Sequence, residues 1–168
     1  HLPVDTILNG HQTGQDYYDA DYTATVTADL YVDIVAGASR YTFHHWSGDA
    51  SGTSTTTTVV MSAPKTATAN YKTQYHITVN SAHGNPTPSA WVDAGNDFTA
   101  SVTSPTEIFP GDRQWVCTGF SVDGGAYQGG TTHTFTNVHA AHTIDFAWKL
   151  QFWVVFQQTG VPDGVTAH

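Results

Sequence analysis

Apolar and polar residues alternate along much of the chain. In "YHITVN", the apolar residues Tyr75, Ile77 and Val79 are separated by polar ones, and the segments starting at Asp97 ("DFTASVT") and Thr132 ("THTFTNV") show the same period of two. This period is typical of a β-strand with one buried face. Stretches rich in Gly, Asp, Ser and Pro separate the segments, and no segment has a convincing helical period with a cap and a stop. We therefore expect an all-β protein.

The chain contains two copies of one pattern. "RYTFHHWSGDASG" from Arg40 aligns with "RQWVCTGFSVDGG" from Arg113 after a one-residue adjustment. "YYDADYTATVT" from Tyr17 aligns with "WVDAGNDFTASVT" from Trp91, and "TATANYKTQ" aligns with "TIDFAWKLQ". The spacing between matched residues increases from 74 to 77 along the repeat. The alignment brings together Gly37 and Gly111, Tyr41 and Trp115, Phe43 and Cys117, Trp46 and Phe120, Asp49 and Asp123, and Tyr71 and Trp148.

The repeat predicts how the chain is divided. We expect two tandem small β-sandwich or β-grasp-like domains, at residues 1–74 and 75–149. Residues 150–168 are then the C-terminal strand of an incomplete third repeat. At the head of the first copy, the alignment predicts that Val4, Thr6 and Leu8 match Tyr75, Ile77 and Val79, so that this strand buries little apolar area.

A run of five apolar residues lies close to the C-terminal end of the chain: Phe152, Trp153, Val154, Val155 and Phe156. Gln151 aligns with Gln74, so three of the five take the inward positions of the first strand of the second copy. The other two, Trp153 and Val155, replace the outward polar residues His76 and Thr78. A strand that is apolar on both faces is typical of burial on both sides. We therefore predict that the five residues form a donor strand for an identical subunit.

This prediction leads to two hypotheses about function. Head and tail are different surfaces, so a contact between them is heterologous and forms an open fibre unless the rotation closes. The chain is then a structural subunit of an extracellular filament or cell-surface appendage. Alternatively, it is a fragment of a multi-repeat surface adhesin or stalk, acting as a spacer or a carbohydrate-binding module without polymerising.

One segment of the first copy is similar to a known family. The features are an aromatic-x-Phe sequence before Trp46, then Ser47-Gly48-Asp49, a Thr-rich strand and "MSAPKTATANY". They resemble the Trp-Ser-Gly-Asp-containing repeats of bacterial and archaeal cell surfaces that are related to the divergent internalin-type B-repeat. His45 stands where that family usually has Gly. The resemblance implies an extracellular spacer, stalk or adhesive module without catalytic residues.

Composition and charge exclude several classes of partner. The chain has 5 Lys and Arg residues against 14 Asp and Glu residues, for a formal net charge of -9. Phosphate backbones are bound through Lys and Arg clusters, so we do not expect a nucleic-acid partner. We expect no membrane span, because no apolar run approaches about 20 residues. The chain begins at His1 rather than Met, from which we expect that a secretory signal peptide was removed, although a recombinant boundary would give the same start.

Candidate chemistry is sparse. Asp16, Asp19 and Asp21 are calcium candidates, with turn-forming Asp as the alternative. His44 and His45 are adjacent and are expected to face opposite sides of a strand, so that they cannot chelate one ion. We expect no cofactor and no enzymatic activity, since no G-x-S-x-G sequence is present. The single cysteine, Cys117, is expected to be a small buried residue.

Surface glycans are a further candidate class of partner. The run Thr55–Thr58 is either an O-glycan site or a plain solvent-facing strand, and no Asn-x-Ser/Thr sequon is present. Sugar stacking would require exposed aromatic residues, for which the candidates are Tyr17, Tyr18, Trp91 and Tyr127.

Overall fold

The chain folds into β-strands. The computed structural model describes residues 2–5, 7–8, 11–12, 17–157 and 159–160, the first three ranges as backbone only. All the elements in this part of the chain are strands, which confirms the all-β class. No helix in it is long and apolar enough to cross a membrane. The strands are β1 (Leu2–Asp5), β2 (Ile7–Leu8), β3 (His11–Gln12), β4 (Tyr17–Tyr18), β5 (Thr23–Thr27), β6 (Tyr31–Val35), β7 (Ser39–Gly48), β8 (Thr56–Val60), β9 (Lys65–Asn80), β10 (Ala90–Asp93), β11 (Phe98–Ser101), β12 (Thr106–Phe109), β13 (Arg113–Val122), β14 (Thr132–Phe135) and β15 (His142–Phe152).

The strands belong to two compact units. The first comprises residues up to 78 together with 89–98 and 134–142, and the second comprises 79–88, 99–133 and the residues from 143 onwards. The predicted division into residues 1–74, 75–149 and 150–168 stays a prediction, as does the β-sandwich or β-grasp-like arrangement.

In the first unit, β7 pairs antiparallel with both β6 and β9, and β5 pairs antiparallel with β8. Alternate residues of β5 are buried, so the period-two pattern of its sequence has the expected physical cause. The Trp46 ring is buried and its Nε1 donates a hydrogen bond to the Ser54 carbonyl oxygen at 2.9 Å. The buried cluster around it is Ala24, Val26, Phe43, Trp46, Ala50, Val59, Met61 and Ala67.

In the second unit, β13 lies between β12 and β15 and is antiparallel to both. Phe120 on β13 and Phe146 on β15 face each other with ring centroids 5.8 Å apart. Both are buried, together with Ala100, Val102 and Ile144.

The three antiparallel strands β6–β7–β9 of the first unit recur in the second as β12–β13–β15. Phe43 lies opposite Tyr71, and 74 and 77 residues later Cys117 lies opposite Trp148. A bulge follows each of these pairs, so the ladders are interrupted at matched positions. The turn that opens each long strand contains a glycine with positive φ, 72° at Gly37 and 76° at Gly111. The registers thus reproduce the residue matches made from the sequence.

A hydrogen-bonded aspartate is also repeated. Asp49 Oδ2 accepts a hydrogen bond from the Thr66 backbone N–H at 2.8 Å, and Asp123 Oδ1 accepts one from the Thr143 N–H at 2.8 Å. The Thr66 N–H is the main cause that lowers the pKa of Asp49 below its ordinary value of 3.8, and Lys65 adds to the lowering. The aspartate of the Trp-Ser-Gly-Asp sequence therefore fixes the turn after β7 to the start of β9.

The bulge overturns one expectation about histidines. Because the register shifts between Phe43 and His45, the rings of His44 and His45 do not face opposite sides. Their Nδ1 atoms are 2.8 Å apart and the rings meet edge to face. Cys117, at the matched bulge, is half-buried rather than buried, and its Sγ lies 3.5 Å from the Gly119 carbonyl oxygen.

The register at the head of the chain also differs from the expected one. Leu2 lies opposite Tyr18 in β1–β4, whereas Tyr75 lies opposite Val92 in β9–β10. Since Tyr18 aligns with Val92, Leu2 matches Tyr75 and Val4 matches Ile77. The predicted set of Val4, Thr6 and Leu8 is wrong by two residues, and Thr6 lies outside the described residues.

Candidate interaction surface at the end of the last strand

The last strand, β15, ends level with the first residue of its partner strand β13. Phe152, the final residue of β15, lies opposite Arg113, the first residue of β13. The Trp153 backbone N–H then donates a 2.6 Å hydrogen bond to the carbonyl oxygen of Asp112 in the preceding turn. No strand is assigned to residues 153–157. The chain is therefore held up to Trp153 and extends beyond its ladder from there.

The residues predicted to form a donor strand are all exposed. The exposed fraction runs from 64% for Val155 to 86% for Phe156, with 85% for Val154. Ile108 and Phe109 of β12 are exposed as well, and they help to line an open groove of about 640 Å³. The lining residues are Ile108, Phe109, Pro110, Gly111, Arg113, Gln114, Gln151, Phe152 and Trp153. A contiguous apolar surface of this kind is typical of an interaction site.

Polar contacts hold the base of this surface in place. The Gln114 Nε2 atom donates a hydrogen bond to Gln151 Oε1 at 2.9 Å, which joins β13 to β15 just before the exposed run. The Arg113 guanidinium lies 5.1 Å from the centroid of the Phe109 ring, and its Nε is 3.9 Å from Asp112 Oδ2. The apolar residues thus project from an ordered support.

The same geometry occurs in the first unit, where the strand continues into a folded partner. β9 is one strand of 16 residues that contains both the last strand of the first copy and the first strand of the second. The His76 N–H donates to the Ala38 carbonyl oxygen at 2.9 Å, as the Trp153 N–H does to Asp112. Arg40 Nε bonds Gln74 Oε1 at 2.9 Å, at the positions that match Gln114 and Gln151. We call residues 74–77 of β9 and their partner β10 the internal junction.

At the internal junction the strand is covered. His76 lies opposite Trp91 and Ile77 lies opposite Ala90 in the antiparallel β9–β10 ladder. Ile77 is completely buried, whereas its match in the tail, Val154, is 85% exposed. The His76 and Trp91 rings pack at 5.0 Å, and the Arg40 guanidinium lies 4.1 Å from the Trp91 ring centroid. Residues 152–154 therefore match the β9 half of this junction, and within the described residues no strand covers residues 153–157.

Asp93 of β10 links the two strands of the internal junction through its contacts with Lys72 and Gln74. Asp93 accepts a hydrogen bond from Gln74 Nε2 at 2.8 Å and one from Lys72 Nζ at 3.2 Å. The bond from Gln74 is the main cause that lowers the pKa of Asp93 below its ordinary value; burial opposes it, and Lys72 and His44 add to the lowering. This cluster was not predicted from the sequence, although the repeat alignment carries its signal: Lys149 and Gln151 stand at the positions of Lys72 and Gln74.

Two of the three calcium candidates, Asp19 and Asp21, lie between β4 and β5. Asp21 has a φ of 64°, and its N–H donates to the Met61 carbonyl oxygen at 3.0 Å, which is a turn-forming role. The Asp19 carbonyl oxygen accepts from the Tyr22 N–H, and Asp16 lies outside the described residues. Among the residues that are described, no three or more His, Cys, Asp or Glu side chains form a group that could hold a metal ion.

The aromatic candidates for sugar stacking have different surroundings. Trp91 is half-buried, with the Arg40 guanidinium over its ring and the His76 ring packed against it, so it is not an open stacking surface. Tyr18 is half-buried and stacks on Tyr22 at 5.7 Å, while Tyr17 is exposed. Tyr127 is exposed and donates a hydrogen bond to Thr118 Oγ1.

No family model matches the chain, and no curated protein or solved structure is significantly similar to it. The resemblance to the cell-surface repeat family therefore stays a prediction from the motif.

Proposed function

We propose that the chain is a structural subunit of an extracellular filament or cell-surface appendage, and that it polymerises head to tail by donating its C-terminal strand. The exposure of Val154 carries this proposal, because the matching Ile77 of the internal junction is completely buried. Residues Phe152–Phe156 are the donor, and an identical subunit is the acceptor. The low proportion of charged residues (11%), the many Thr residues and the resemblance to surface repeats support an extracellular location.

The energetics favour burial of this strand. Aromatic side chains bury about 150–250 Å² each, and three of the five exposed residues are aromatic. Burial of roughly 400 Å² of apolar surface is worth about 10 kcal/mol before any cost is counted. Loss of translational and rotational freedom opposes association by about 4–15 kcal/mol. Backbone hydrogen bonds of an added strand supplement the apolar term. Because the gain from burial and the cost of association are of similar size, assembly is expected to depend on protein concentration.

Light scattering and negative-stain electron microscopy test the proposal. We expect the full chain to form fibres, and a chain that ends at Gln151 to stay monomeric. A chain that ends at Gln157 is the matched control, because it keeps the five apolar residues and should still assemble. If the full chain and the chain ending at Gln151 are equally monomeric and equally soluble, strand donation is wrong.

One observation favours a second function. β9 passes without interruption from the first copy into the second, so a further repeat in a longer chain could cover residues 152–156 in the same way. The chain would then be part of a multi-repeat surface stalk or adhesin. This second function predicts that adding a repeat after residue 157 yields a soluble monomer with Trp153 protected from solvent, as measured by its fluorescence emission.

A further inference from the structure

We propose that the acceptor of the tail is the first repeat of a second copy, in which residues 152–154 replace strand β1 beside Tyr17 and Tyr18 while Lys149 and Gln151 bind Asp19. This inference rests on the proposed function, to which it adds a register, an exchange of strands and an ion pair.

The internal junction supplies the register. In it, Tyr75 lies opposite Val92 and His76 lies opposite Trp91. Trp153 matches His76, and both backbone N–H groups donate to the carbonyl oxygen of the preceding turn. In each molecule, the tail therefore leaves the β13–β15 ladder with the same backbone hydrogen bond that β9 makes at the internal junction.

The acceptor strand is β4. Tyr17 and Tyr18 align with Trp91 and Val92, and β4 is paired by β1 in the same antiparallel register, with Leu2 opposite Tyr18 and Pro3 opposite Tyr17. A tail that enters this position places Phe152 opposite Tyr18 of the second copy and Trp153 opposite Tyr17.

Entry of the tail requires that β1 leaves β4 and also the start of β9, with which it pairs in parallel at Val4 and Asp5. β1 has only four residues, and one of them is Pro3, which has no N–H to donate. At the matched position, His76 and Trp153 each use their N–H to bond the turn of the preceding repeat. The Trp153 N–H keeps this bond within its own chain when the tail enters, so it is not left unpaired. The tail exchanges Leu2 and Pro3 for the larger Phe152 and Trp153, and Val4 for Val154. Replacement of a short strand by a more apolar one is favourable in burial.

Charge complementarity supports the same acceptor. Asp93, the residue after Val92, binds Lys72 and Gln74. The residue after Tyr18 is Asp19, and the matches of Lys72 and Gln74 are Lys149 and Gln151, of which Lys149 is exposed. In the proposed register, Asp19 of the second copy meets Lys149 and Gln151 as Asp93 meets Lys72 and Gln74.

Cysteine cross-linking tests the register. In a Cys117→Ser background, Trp153→Cys combined with Tyr17→Cys should give a ladder of disulfide-linked multimers on a non-reducing gel, because directly opposite residues of antiparallel strands lie within disulfide reach. Trp153→Cys combined with Tyr18→Cys is the matched control, because a shift of one residue points the side chain to the other face. Equal ladders from both pairs, or ladders from neither while the full chain still assembles, would overturn the register and leave strand donation standing. Absence of assembly in the unmodified chain would overturn both.

A charge exchange tests the ion pair with the apolar tail intact. Lys149→Asp and Asp19→Lys should each raise the critical concentration for assembly by about tenfold, in line with the small energies of exposed ion pairs and their reversal. The chain with both substitutions should return to within about twofold of the original, since each junction then has the reversed pair. Additive loss in the double variant, or no effect of either single one, would contradict the pairing of Lys149 with Asp19.

Discussion

Substitution of Val154 is the sharpest test of strand donation. Val154 is 85% exposed in the chain by itself, but its match in the internal junction, Ile77, is completely buried. Val154→Ala removes two methyl groups at about 0.8 kcal/mol each, and a small residual cavity brings the loss to about 2 kcal/mol. Since 1.4 kcal/mol is a factor of ten, the critical concentration should rise roughly 30-fold. Val154→Asp would bury an unpaired carboxylate at a cost of several kcal/mol, so fibres should disappear.

The assay is sedimentation of fibres over a range of protein concentrations. Val154→Ile is the matched control, because it restores the residue of the second copy and should assemble at least as well as the original chain. Thermal unfolding of the non-assembled chain should be unchanged in all three variants, since an exposed side chain contributes little to stability. If Val154→Asp assembled at the original critical concentration, position 154 would not be buried in the fibre and the reasoning from Ile77 would be refuted.

Three further predictions concern the repeat. Gly119→Ala should lower the free energy of unfolding by about 2–4 kcal/mol, because φ at Gly119 is 140° and an added Cβ would lie 2.0 Å from the Gln128 carbonyl oxygen. At the aligned position, His45→Gly should lower it by only about 1 kcal/mol. Equal losses of unfolding free energy for the two variants in urea would contradict this. The lowered pKa of Asp49 means that its stabilising contribution is present above pH 3.8 and is lost as the pH falls through the folded-state value. Asp49→Asn should therefore flatten the fall of Tm below pH 3.8, and an unchanged acid profile would refute this role. Trp153→His with Val155→Thr, which restores the outward residues of the second copy, should abolish fibres at micromolar concentrations without lowering the Tm of the monomer.

The all-β class and the matched registers of the two copies follow from the sequence because the relevant signal is local and is repeated. The alternation in β5 predicts which of its residues are buried. Spacings of 74 and 77 residues predict that the pair Phe43 and Tyr71 recurs as Cys117 and Trp148. The prediction of a donor strand in the tail rests on the same repeat, since Gln151 matches Gln74. A pattern that occurs twice fixes a register that a single strand leaves open.

The missed features depend on backbone irregularity or on contacts between distant residues. The bulge after Phe43 brings His44 and His45 together, and a strict period of two cannot anticipate an extra residue. The contact of Lys72 with Asp93 joins residues 21 positions apart through the β9–β10 ladder. The match of Val4 to Tyr75 was wrong by two residues because a short strand with Pro3 gives too little alternation to set its register.

The proposed strand donation gives a physical reason for the apolar outer face of the tail, namely the cost of joining separate molecules. At the internal junction the outward residues are His76 and Thr78, which are half-buried and whose Nδ1 and Oγ1 atoms lie 3.2 Å apart. Those two repeats are covalently linked, so their contact does not have to offset the roughly 4–15 kcal/mol of association entropy that free molecules lose. In the tail, Trp153 and Val155 replace His76 and Thr78; burying roughly 200 Å² of additional apolar surface contributes about 5 kcal/mol. A junction within one chain can form with polar outward residues, as β9 and β10 do. A junction between subunits needs the larger apolar area, which is why the composition of residues 152–156 favours donation to a second copy over continuation into a linked repeat.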